Sequence, residues 1–64
     1  MFMKNYVQMG FHYVDKNNQL VRTVCRALTQ TNEPMIAYVN VDNGGYASDV
    51  FLMNEDDFKI RFGI

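Results

Sequence analysis

Sixty-four residues with one cysteine (Cys25), one histidine (His12) and seven acidic against six basic side chains exclude more than they specify. The length holds a single domain, residues 1–64, and one cysteine with one histidine makes neither an internal disulfide nor a structural zinc site, so no metal and no cofactor is expected. A net charge of −1 gives no global electrostatic pull toward nucleic acid or an anionic membrane. No apolar run approaches the roughly 18 residues of a membrane span.

Residues Asn5 to Val14 favour a strand. Val7, Met9, Phe11 and Tyr13 alternate with Gln8, Gly10 and His12, the period of two expected of a half-buried strand. Gly10 inside the run signals a bulge, a bend or close approach of another backbone. Asp15-Lys16-Asn17-Asn18 is a polar turn whose asparagines tolerate the left-handed region, so a first hairpin is expected.

The second strand is placed at Gln19 to Leu28. Leu20, Arg22, Val24, Arg26 and Leu28 would share one face, and Val21, Thr23, Cys25 and Ala27 the other. A helix competes over Leu20 to Leu28, but the content of valine and threonine favours the strand. Thr29 to Pro34 is a loop, because four small polar residues lead to a proline that disfavours helix before it. The third strand is placed at Met35 to Val41 and the fourth at Tyr46 to Met53. Between them, Asp42-Asn43-Gly44-Gly45 is built for positive φ and predicts a hairpin.

Asn54 can cap a short helical turn through Phe58, with acidic residues at the positive end of its dipole. Lys59-Ile60-Arg61-Phe62 alternates and predicts a last short strand. Together these elements predict a mainly β fold, a small five-stranded SH3-like barrel with one helical turn before the final strand.

Several short motifs are similar to those of a group of bacterial and phage domains of unknown function. They are Gly10 with Phe11 and Tyr13, Thr29-Gln30-Thr31, Ile36-Ala37-Tyr38, Gly44-Gly45 and Asp57-Phe58, and the likeness runs from about Gly10 to Phe58. The chain departs from that pattern in lacking its Arg-Pro pair, where Ser48-Asp49-Val50-Phe51 stand, and in carrying Gln30 in place of an acid. The resemblance implies a small SH3-like barrel and brings no activity with it.

No set of residues supplies both a nucleophile and its base, so no enzyme is expected and no residue is assigned a catalytic role. Cys25 is read as a packed core cysteine rather than a reactive thiol, with Arg22 and Arg26 on the face opposite it. His12 is read as a strand residue on a partly exposed face. Asp42, Asp49, Glu55, Asp56 and Asp57 are read as turn and cap residues, or as an acidic face toward a basic partner. Five methionines and nine aromatics are more than one small core can hide, and an apolar patch on a small soluble domain most often marks an interface.

The expected function is therefore a non-enzymatic protein-interaction module, an accessory or phage-encoded regulator that binds a larger protein. Its candidate contact residues are Phe2, Met35, Tyr46, Asp49, Phe51, Glu55 and Asp56. The alternative is a small nucleic-acid-binding barrel using Lys4, Tyr6, His12, Arg22 and Arg26. A second copy of the chain is a further candidate partner, since a domain this short has a thin stability margin without a staple. A free thiol and an N-terminus too short in apolar residues for a signal peptide point to the cytoplasm, with no membrane contact.

Overall fold

The computed structural model describes residues 6–64. They form four strands, β1 (His12–Val14), β2 (Leu20–Leu28), β3 (Pro34–Asp42) and β4 (Gly45–Asn54), followed by one helix, α1 (Glu55–Phe62). The strands make one antiparallel sheet in the order β1-β2-β3-β4, a meander with its two outer strands unpaired to each other. Mainly β is thus correct, and β2 is a strand over the stretch where a helix competed.

The first strand is shorter than its alternation predicts. Gly10 takes φ 75° and turns the chain, so the regular ladder with β2 covers only His12–Val14, and Gly10 and Phe11 bond to the backbone of Thr23. The segment before the turn is held by Thr23, which is fully buried. Its hydroxyl donates to the Gln8 carbonyl at 2.6 Å and accepts from Phe11 N–H at 3.1 Å. That clamp lays Val7 into the core.

The β1–β2 turn is closed by Asp15, whose carboxylate accepts from the N–H groups of Asn17 and Gln19, both at 2.9 Å. Asn18 sits at φ 65°, as the turn chemistry predicts. At the β3–β4 hairpin, Asp42 Oδ1 accepts from Gly44 N–H at 3.0 Å and Gly45 takes φ 108°.

The expected final strand at Lys59–Phe62 is instead the second half of α1. The helix has what it needs at each end. Asn54 Oδ1 accepts from Asp56 N–H, three acids fill the first turn, and Gly63 closes the helix in the left-handed region at φ 71°. The residues Phe58 and Phe62 are four apart, so in a helix they share one face, and their ring centroids lie 4.3 Å apart. The period-two pattern of Lys59 to Phe62 was too short to compete with that pair. Without a fifth strand the sheet is open, with β1 and β4 as its edges.

Phe58 and Phe62 pack on one face of the sheet with Val7, Val21, Ile36 and Tyr38, and Met9, Tyr13, Met53 and Ile64 surround them. Full burial of each such side chain stabilises by about 1.5–3 kcal/mol. Arg61 ties helix to sheet: its Nε donates to Asp15 Oδ2 at 3.1 Å and its Nη1 to the Tyr38 hydroxyl at 3.3 Å.

Candidate functional site

A four-stranded sheet has two faces, and this helix covers only one. The register defines the other. Across it run the rows Val14–Leu20–Val41–Tyr46, His12–Arg22–Val39–Val50, Cys25–Ala37–Leu52 and Ala27–Met35–Asn54. Tyr46, Val50 and Leu52 are 59%, 58% and 59% exposed, and Val14 and Leu20 are exposed beside them. No described element packs over this surface, and none of the residues in these paired rows is a carboxylate.

The face has relief. At the end near the β3–β4 hairpin, Tyr46 stacks on His12 with ring centroids 6.3 Å apart, although β4 and β1 lie at opposite edges of the sheet. The Arg22 guanidinium lies over the same Tyr46 ring at 5.7 Å. Side chains arching across β2 and β3 in this way make a raised lip. Toward the other end Cys25, Ala27 and Ala37 make a small-residue floor on β2 and β3, with the larger Met35 and Leu52 beside it.

A bulge in β2 decides which of that strand's residues belong to this face. Thr23 pairs with Tyr38 and Cys25 with Ala37, which leaves Val24 as an extra residue in β2. Strict alternation would put Arg22 and Arg26 together, opposite Cys25. The extra residue instead moves Cys25 onto the bare face with Arg22 and sends Arg26 to the helix side. Cys25 is therefore exposed and not a core residue. Arg26 donates to the Val7 carbonyl and pairs with Glu55 at 3.0 Å, while its guanidinium lies over Tyr6 at 5.5 Å.

Of the protein-contact candidates, only Met35 and Tyr46 stand on the bare face. Phe51 lies on the helix side at the β4 edge, its ring 5.8 Å from that of Tyr38. Glu55 is engaged by Arg26 and, at 3.9 Å, by Lys59. Asp56 and Asp49 are exposed, Asp56 in the first turn of α1 and Asp49 in β4. Phe2 lies outside the described residues.

The nucleic-acid set is divided. His12 and Arg22 share the bare face, Tyr6 and Arg26 sit together on the helix side, and Lys4 lies outside the described residues. Val14, Leu20, Val50 and Leu52 also stand on the bare face and are absent from both candidate sets. The run Val50-Phe51-Leu52, apolar at three consecutive positions of a strand, was the available signal, since only one face of β4 can meet the helix.

The carboxyl of Asp15 is altered by its surroundings. The Gln19 N–H bond holds its carboxyl below the ordinary value of 3.8; burial opposes this, and Arg61 and Asn17 N–H add to it. Its partners make it a structural latch between the first turn and α1. Among the described residues no three His, Cys, Asp or Glu side chains are grouped to hold a metal ion. No described helix is long and apolar enough to cross a membrane. Comparison with known protein families, with curated proteins and with solved structures finds no match.

Proposed function

We propose that this chain is a non-enzymatic protein-interaction module whose contact surface is the bare face of the sheet. One observation carries the proposal: Val14, Leu20, Tyr46, Val50 and Leu52 are exposed together on a face whose paired rows contain no carboxylate. Contiguous apolar surface of this kind on a small domain is characteristic of protein contact. The rows around Ala37 are backed by the packed core, so the surface is already shaped before a partner arrives.

The resemblance to short bacterial and phage domains supports a cytoplasmic accessory regulator that modulates a larger protein, which is analogy at the level of the family. The curl that carries Tyr46 to His12 supports reading the sheet as an SH3-like barrel left open between β1 and β4.

The test compares three immobilised proteins in a lysate of the source cell: wild type, Leu52→Lys on the bare face, and Ile60→Lys on the outer side of α1, where Ile60 is 79% exposed. A protein retained by wild type and Ile60→Lys but released from Leu52→Lys is the expected result. Equal retention by all three, or retention lost only with Ile60→Lys, overturns the assignment of the face.

A further inference from the structure

We infer that in the free protein the bare face is covered by a second copy of this chain, packed face to face as a two-fold β-sandwich. This rests on the reading of that face as a protein-contact surface and specifies its occupant.

Three features of the face point to a second copy. The first is area. Three long strands spaced about 4.8 Å apart, with nine residues rising about 3.3 Å each, and the short β1 beside them, present roughly 500 Å². Two copies bury roughly 1,000 Å², the floor for a specific interface, and each gives up roughly a tenth of its surface, the usual share for a small protein. The total accessible surface of the chain is 4788 Å².

The second is shape. The lip of Tyr46, His12 and Leu20 lies at one end of the face and the small floor of Cys25, Ala27 and Ala37 at the other. A two-fold axis lying between the sheets and across the strands reverses the strand direction of the partner. It sets Leu20 of each copy over the small residues Cys25 and Ala27 on β2 of the other, the large-against-small arrangement that lets facing layers interdigitate. A partner built on any other plan would have to supply that complement independently.

The third is charge. The register puts only Arg22 and His12 on the face as basic groups, and Arg22 already lies against the Tyr46 ring. With no carboxylate in the paired rows, they do not select a strongly basic partner. Its apolar majority is compatible with its own copy.

The experiment is the solution mass by light scattering over a dilution series, on wild type, Leu52→Lys, Cys25→Trp and Ile60→Lys, each checked for its fold by circular dichroism. Wild type is expected to run as a dimer that dissociates on dilution. Leu52→Lys enters a two-fold interface twice, and it should raise the dissociation midpoint about tenfold or more, because each copy would then bury an unpaired charge. Cys25→Trp fills the floor from the outside and should do the same, while Ile60→Lys should not. A wild-type monomer at every concentration overturns the inference, as does a dimer indifferent to Leu52→Lys and Cys25→Trp. In either case, a lysate protein released only from Leu52→Lys shows that the contact-surface reading has survived and that another protein is the occupant.

Discussion

The two faces of the sheet use similar residues to different ends. On the helix side, Val21, Ile36 and Phe58 are fully buried, and each polar group that enters is matched. Thr23 binds Gln8 and Phe11, Arg61 binds Asp15 and Tyr38, and no described buried side-chain polar atom lacks a partner. On the other side, valine, leucine and tyrosine stand exposed with no element of the described chain above them. Apolar residues on a strand thus report burial of a face without saying whether the chain itself or another molecule buries it. The helix settles the first face. No described element covers the second.

The comparison breaks most visibly at Phe58. Phe58→Ala removes the centre of the covered face and should cost about 3–5 kcal/mol, comparable with the entire stability expected of a domain this small. Far-UV circular dichroism should show the variant largely unfolded at room temperature. Retention of a cooperative melt near that of wild type would mean that the helix side is not the core.

Thr23→Val keeps the shape but leaves the Gln8 carbonyl and Phe11 N–H without their partner. Unmatched groups of this kind cost about 1–3 kcal/mol. Urea unfolding should move to lower concentration by that amount, and no movement would show that the N-terminal segment is not clamped through this hydroxyl. Asn54→Ala removes the cap that lets Glu55–Phe62 form a helix rather than a strand, at about 1 kcal/mol. Its thermal midpoint should drop by several degrees, with helical signal lost before the sheet.

A pH titration probes the latch at Asp15. Its carboxyl is held below 3.8 in the folded protein, so the folded state favours the charged form. The stabilisation is complete above the ordinary carboxylate value and is lost as pH falls through the lower, folded value. Asp15→Asn should flatten this acid dependence. An unchanged slope would mean that Asp15 is not the group responsible. The smallest effect belongs to the bare face: at concentrations where the chain is monomeric, Leu52→Lys should shift stability by no more than about 0.5 kcal/mol, as for exposed positions generally.

Much of this architecture was legible in the residues. Asp15 to Asn18 and Asp42 to Gly45 turn where their side chains and φ preferences require. Valine and threonine made β2 a strand. Asn54 announced the start of α1, but its length depended on Phe58 and Phe62 meeting the core, a tertiary contact that the alternation of Lys59 to Phe62 concealed. The bulge at Val24 had no local marker at all, because neither glycine nor proline is needed for an extra residue of this kind. That one residue misassigned Cys25 and Arg26 together. The excess of apolar residues was visible in composition, whereas their gathering on one face needed the register.

Cys25 makes the central claim directly testable, since it is the chain's only cysteine and stands on the bare face. The measurement is its rate of labelling by a maleimide as the protein concentration is raised. If the sheet face is the contact surface and a second copy covers it, labelling slows as the dimer fills, and Leu52→Lys restores the fast rate at the same concentration. A rate independent of concentration, with wild type and Leu52→Lys alike, would contradict it.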